Sequence, residues 1–267
     1  MKHDNNMNNV NKTLYIPLYG KAYVSKKSLF LRDLKAQEIW EAEKFPLKGK
    51  SKSKWLAYYM GIRSAVFDDW LKEQMAIAED AVVIQIGCGM DSRVLRVGKN
   101  VGEWYDVDFP EVINERKRYY AECDGYHMLM GDARNSDWLT QIPQGKRAIV
   151  LMEGVSMYLS FSELRAALQA ICEHFEEVAV LMDCYTEFAA KMSRYKNPIN
   201  DVGVTKVYGI DRPEALQAGS LRYMKEHEMT PNCYLNQLRG AEKWIFSRLY
   251  AGNFSKKLYK LYEYKKS

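Results

Sequence analysis

The chain has 267 residues, 47% of them hydrophobic and 27% charged, which is enough apolar material for one substantial core. Its net charge of +5 comes from lysines spread along the chain and thickening at the two ends, without the basic and aromatic array of a nucleic-acid surface. No run approaches the roughly 18 apolar residues of a membrane span, and five cysteines, odd in number and never spaced as CxxC, argue against a disulfide framework and a structural zinc.

Residues 1–12, MKHDNNMNNVNK, are polar, lack the apolar centre of a signal peptide, and are predicted to be a disordered leader of a cytoplasmic protein. LYIPLYGKAYVSKK, residues 14–27, shows no clean period. SLFLRDLKAQEIWEAEKF, residues 28–45, has helical spacing and is ended by Pro46. The Lys/Ser/Gly stretch 48–54 reads as a solvated loop rather than a phosphate contact, as does the closing KKS. A second helix is expected from about Trp55 to Met75, with Tyr59, Ile62, Val66, Trp70 and Leu71 on one side.

Short apolar runs then alternate with helical segments: AVVIQI (81–86), EWYDVD (103–108), YHMLM (126–130), RAIVLM (147–152) and EVAVLMD (177–183). Runs that are mostly apolar rather than alternating suit strands covered on both faces, so a mostly parallel, doubly wound α/β sheet is expected. FPEVINERKRYYAEC and SFSELRAALQAICEHF read as helices between them, the second capped by Ser160 or Ser162. TEFAAKMSRY is read as a further helix before the breaker-rich NPINDVG. A strand near LRYMKEH, one helix through YLNQLRGAEKWIFSRLY and a last strand KLYKLYEY complete the chain.

In such a sheet the ligand crevice lies at the carboxyl ends of the strands. There the sequence places Gly87 and Gly89 after the first run, Asp108 on the second, Gly131 and Asp132 after the third and Glu153 after the fourth. The glycines permit a sharp turn and close approach of a ligand. Asp108 lies 21 residues beyond Gly87, near the spacing at which an acid accepts ribose hydroxyls, and Asp132, beside the backbone of Ala133, suits an adenine amine. The plainer alternatives are that Asp108 caps the following helix and that Asp132 closes a turn. A dinucleotide fingerprint requires a third glycine where this chain has Ser92, which favours S-adenosylmethionine over a nicotinamide cofactor.

Taken together, VVIQIGCGMDSRVLRV, EWYDVDFPEVINERKRYY, GDARNSDW and MEGVSMYLS, with YIPLYGKAYVSKKSLFLRDLKAQEI and IRSAVFDDWL before them, resemble the leucine carboxyl methyltransferase family, in particular its bacterial branch. The resemblance covers most of residues 13–185; beyond them only YGIDRPEAL looks familiar. It implies a class I methyltransferase (Rossmann-like) fold. Within it, residues 13–267 would form a single domain: a helical N-terminal cap at 13–79, an S-adenosylmethionine-binding core at 80–183, and substrate-side helices with the final strands at 184–267. It implies that Gly87 and Gly89 form the donor loop, Asp108 meets ribose, Asp132 and Ala133 meet adenine, and Glu153 lies near the methionine amino group. Arg63 matches an arginine that reaches the methionine carboxylate or the reacting centre, Lys21 a basic residue of the site, and Tyr158 a tyrosine near the acceptor.

The implied activity is O-methyl transfer to a small molecule, with no metal. A carboxylate acceptor is ionised at neutral pH and needs cations, which Arg63 and Lys21 supply; a hydroxyl would need a base, and His3, His127, His174 and His227 offer no obvious one. The carboxylate is therefore the expected acceptor. The alternatives are a protein C-terminal carboxylate, a non-catalytic S-adenosylmethionine-binding module and, remotely, a nicotinamide enzyme. Arg63 has a bland alternative in a salt bridge to Asp68 or Asp69 on its own helix, and Lys26 and Lys27 are alternatives to Lys21. Met157, Trp55, Tyr58 and Tyr59 are candidates for the acceptor pocket, although such side chains at helical spacing are more often core. The sequence leaves open what Asp91 and Arg93 do.

Overall fold

The computed structural model describes residues 14–43, 45, 47, 49–98, 102–193 and 206–267. The expected leader, Pro46, the NPINDVG breaker and His3 lie outside the described residues. Seven strands form one sheet in the order β3-β2-β1-β4-β5-β7-β6. They are β1 (Val82–Ile86), β2 (Glu103–Asp108), β3 (Tyr126–Met130), β4 (Gly145–Met152), β5 (Phe175–Tyr185), β6 (Arg222–His227) and β7 (Tyr259–Lys266). The first five pair in parallel, and β7 runs antiparallel between β5 and β6. The five expected parallel strands are thus present, each within two residues of its sequence boundaries. β6, at the edge, is largely exposed and carries Arg222, Lys225 and Glu226, charges that discourage further strand pairing.

Helices cover both faces. On one, α1 (Tyr15–Lys26), α2 (Leu34–Glu43) and α3 (Lys54–Ile77) pack with Val83, Ile149, Leu151 and Leu181 of the sheet. On the other, α6 (Phe161–His174) lays Leu164, Leu168 and Ile171 against Ile84, Val150 and Val180. Ser160 caps α6 with a full capping box: its side chain accepts from the amide of Glu163, whose carboxylate accepts from the Ser160 amide. The shorter α4 (Arg93–Val97), α5 (Pro110–Arg116) and α7 (Glu187–Ser193) follow β1, β2 and β5.

Several elements differ from the sequence reading. Residues 14–27 contain α1, which has no clean period because it is buried nearly all round, from Tyr15 through Lys21 to Ser25. It crosses α3 closely, since a Cβ on Gly20 would lie 2.7 Å from the Met60 Cβ, and one on Gly61 would lie 2.7 Å from a Val24 methyl. The helix read from residue 28 begins only at Leu34, where Asp33 accepts from the Ala36 amide at 2.8 Å. The Lys/Ser/Gly loop forms a short turn over Gly49–Lys52, after which Ser53 caps α3. The single C-terminal helix is two, α8 (Asn232–Leu235) and α9 (Gly240–Leu249), because the chain turns at Gly240 with φ +53°. A further turn, α10 (Asn253–Lys256), leads into β7.

Candidate active site

A cavity of about 1510 Å³ runs across the carboxyl ends of the strands. All nine residues given a donor or catalytic role line it: Lys21, Arg63, Gly87, Gly89, Asp108, Asp132, Ala133, Glu153 and Tyr158. Gly87 turns the chain out of β1 with φ +68°, and a Cβ there would lie 2.1 Å from a Val155 methyl. Asp108 ends β2, where one carboxylate oxygen accepts from the Gly89 amide and the other from the Phe109 amide, both at 2.8 Å. It therefore ties the glycine turn to β2 rather than capping α5, whose first turn receives no side-chain cap. Burial pushes the Asp108 carboxyl up to about 6, even though both amides favour its charge.

Asp132 does close a turn, accepting from the Arg134 amide at 2.9 Å and pairing with the Arg134 guanidinium, which holds its carboxyl below the ordinary value against partial burial. Arg134 also lines the cavity, a contribution the sequence reading missed. Ser92, at the place of the absent third glycine, is buried and hydrogen-bonds the Asp33 carboxylate, joining the start of α4 to that of α2. A glycine there would break that tie.

Behind the cavity lies a buried ionic network. Arg63 pairs with Glu153 through Nε at 3.1 Å and with Asp183 through Nη1 at 2.9 Å. The alternative of a bridge to Asp68 or Asp69 is incorrect: Asp68 serves Arg93 and Arg96, and Asp69 accepts from Tyr234. Residues five and six positions on along a helix point away from Arg63, whereas neighbours at three or four share its face. Glu153 also accepts from Ser64 at 3.0 Å and from Arg93. Burial opposes its charge, but the Arg93 and Arg63 guanidiniums outweigh that and hold it down to about 2. Lys21 is 3% exposed and reaches Asp91 at 3.1 Å, while Lys26 meets Glu41 on the surface and Lys27 is exposed over Tyr23.

The open question about Asp91 and Arg93 is answered by these contacts. Arg93 bonds Asp68, Asp91 and Glu153 and braces the turn from behind; Asp91 joins Lys21, Arg93 and Arg96 and also borders the cavity. Asp33, Arg96 and Asp183 escaped the sequence reading, and Asp68 entered it only as a partner for Arg63. Of these only Asp183 had a usable signal, since it closes the EVAVLMD run as Asp108 closes EWYDVD.

Past β4 the cavity is walled by Tyr59, Met157, Tyr158, Tyr185, Met192 and, from the poorly read C-terminal region, Tyr250, Phe254 and Tyr259. Trp55 and Tyr58 do not line it; Tyr58 is buried among Tyr23, Phe30, Trp55 and Phe246. The described histidines also lie elsewhere: His127 bonds Glu103, His174 the Ile142 carbonyl and His227 Glu263. Among the described residues no His, Cys, Asp or Glu cluster has the makeup of a metal site, and no helix is long and apolar enough to cross a membrane.

A glycine turn leaving β1 at the edge of this cavity, under a parallel sheet with one antiparallel insertion, is the arrangement of the class I methyltransferase fold. Magnesium protoporphyrin IX methyltransferase from Synechocystis PCC 6803 superimposes with a TM-score of 0.52 at 11% identity, covering 96% of this chain and 100% of that one. An S-adenosylmethionine-dependent methyltransferase from Clostridium acetobutylicum ATCC 824 gives 0.50 at 11% identity, covering 75% and 90%. Within that class the chain belongs to the leucine carboxyl methyltransferase family, which it matches over residues 12–172. It is 32% identical over 186 residues to the tetracenomycin polyketide synthesis O-methyltransferase TcmP of Streptomyces glaucescens, covering 68% of this chain and 69% of that protein. It is 28% identical over 152 residues to the S-adenosyl-L-methionine-dependent methyltransferase dpfgK of Gibberella zeae, spanning about half of each, 51%.

Proposed function

We propose that the protein transfers the methyl group of S-adenosylmethionine to an oxygen of a small molecule bound in the same cavity. The observation that carries this is the convergence of Gly87, Gly89, Asp108, Asp132 and Glu153 on one cavity that continues beyond them into a tyrosine- and methionine-walled space. Gly87 and Gly89 form the donor loop, Asp108 accepts from the ribose hydroxyls, Asp132 with the Ala133 amide meets adenine, and Glu153 faces the methionine amino group. Arg63 keeps Nη2 for a ligand, since among the described residues that nitrogen makes no hydrogen bond. Tyr158 stands at the acceptor. Placement of the acceptor oxygen in line with the sulfonium methyl, and exclusion of water, would supply most of the acceleration.

Kinship with a family named for carboxyl methylation, and with a relative named an O-methyltransferase, supports oxygen as the acceptor and a carboxylate as its first form. One observation favours a hydroxyl instead. Lys21, Arg63, Arg93 and Arg96 face Asp33, Asp68, Asp91, Glu153 and Asp183, one carboxylate in excess, so the cations expected to hold an anionic acceptor are already neutralised. The same excess suits the donor, whose sulfonium, ammonium and carboxylate sum to one positive charge.

The donor assignment makes a pH prediction. Asp108 must be ionised to accept from both ribose hydroxyls, and with its carboxyl at about 6 it gains a proton below that pH. S-adenosylmethionine affinity should therefore fall on acidification through this value. Asp108→Ala should weaken binding by about ten- to hundredfold and flatten that dependence, as expected when hydrogen bonds to a charged group are lost. Titration calorimetry across this range checks it; undiminished affinity in the variant would sink the ribose assignment.

A further inference from the structure

The last strand brings into the cavity a side chain that the glycine turn and the strand-end acids do not supply. Tyr259 opens β7, and the antiparallel register sets it opposite Tyr185 at the end of β5. Its half-buried ring meets those of Tyr59 and Tyr185 edge-on, with centroids 6.0 and 4.8 Å away, and all three line the cavity. Its hydroxyl accepts from Arg63 Nη1 at 3.2 Å, and the same nitrogen donates to Asp183 Oδ2 at 2.9 Å, which sets the hydroxyl beside a carboxylate whose Oδ1 accepts from the Gly154 amide at 2.6 Å. Asp183 is wholly buried, and burial raises its carboxyl above the ordinary range in spite of Arg63. The charged and titratable groups around the pair are Arg63 and Tyr59 of α3, Glu153 after β4, and Tyr185. Residue 259 and its neighbours lie beyond the family match, which ends at residue 172.

We propose that Tyr259 is a catalytic residue of the acceptor half of the cavity and that, with Asp183 behind it, it takes the proton from a hydroxyl acceptor. The proposal rests on S-adenosylmethionine being the donor. As the acceptor oxygen attacks the methyl carbon, the O–C bond forms and the S–C bond breaks, its electron pair remaining on sulfur. The acceptor's proton passes to the Tyr259 oxygen while the proton of Tyr259 passes to Asp183. The products are a methyl ether, S-adenosylhomocysteine and protonated Asp183, which loses its proton to water once the cavity opens to solvent. A carboxylate acceptor is ionised at neutral pH and has no proton to give, so it gains nothing from this route.

That contrast sets the test. The full chain is incubated with methyl-labelled S-adenosylmethionine and either 1-naphthol or 1-naphthoic acid, two apolar acceptors differing in the oxygen they offer, and donor binding is followed by calorimetry. The expected results are methyl ether from the naphthol with the native protein, and a loss of about 100-fold or more in Tyr259→Phe, the scale of a lost proton acceptor. Donor affinity, and any ester formed from the acid, should fall by less than about tenfold, since neither depends on removing a proton. Full ether formation by Tyr259→Phe, or no ether from a native protein that binds the donor, overturns the proposal. A native protein that does not bind S-adenosylmethionine overturns the donor reading instead.

Discussion

Arg93→Met is expected to destabilise the protein by about 3–5 kcal/mol, the scale on which a buried charge loses its partner. Arg93 is wholly buried, donates to Asp68 and Glu153 and forms an ion pair with Asp91, three acids from different parts of the chain. Methionine fills similar space but leaves those acids with less positive charge among them. Folding stabilities commonly lie at about 5–15 kcal/mol, so the variant would lose a large share of its stability. The pH dependence has a definite sign. In the native protein Glu153 is lowered from 4.5 to about 2, so it contributes stability that is complete above 4.5 and is lost as pH falls towards 2. Arg93→Met removes part of that contribution, so the deficit should be largest at neutral pH and should narrow on acidification below 4.5. Urea unfolding at several pH values measures this. A variant as stable as the native protein at neutral pH would mean that the network is not closed as described.

Gly87→Ala should cost the donor site most. The added Cβ would lie 2.1 Å from a short Val155 side chain, at a backbone φ of +68° that residues with a Cβ rarely adopt. Strain of roughly 1–3 kcal/mol, relieved by shifting the turn, should weaken S-adenosylmethionine binding by up to about 100-fold. Gly89→Ala is a milder companion, because among the described residues its Cβ would meet only Leu14, at an ordinary 3.5 Å, and its φ of +50° is the main strain. Calorimetric affinities for the two variants, compared with their melting temperatures, separate a displaced turn from a loss of folding. Equal donor affinity in Gly87→Ala and the native protein would contradict the turn's role.

The sequence was most legible where burial imposes a simple pattern. Strands covered on both faces read as continuous apolar runs, and the residues that follow them, Gly87, Asp108, Asp132 and Glu153, fall at one cavity because parallel strands end on one side. Legibility failed for opposite reasons at the two ends of the chain. Helix α1 is buried nearly all round and shows no amphipathic period, while the C-terminal helix breaks at Gly240 for a conformational reason that a helical pattern does not carry. The partners of Arg63 were misread because Glu153 and Asp183 are 90 and 120 residues away, and no local spacing announces such pairs. Tyr259 is the extreme case, 196 residues from Arg63 and placed only by the β5–β7 register. The expectation that Arg63 and Lys21 supply cations to the acceptor did not include those pairings, because residue types give the charges present but not which of them neutralise one another.

The central claim, that this cavity holds S-adenosylmethionine, is tested most directly by titrating the native protein with S-adenosylmethionine, S-adenosylhomocysteine and NAD in a calorimeter. Saturable binding of both sulfur ligands at one site, with no response to NAD, is the predicted result; binding of NAD with none of either sulfur ligand would contradict it.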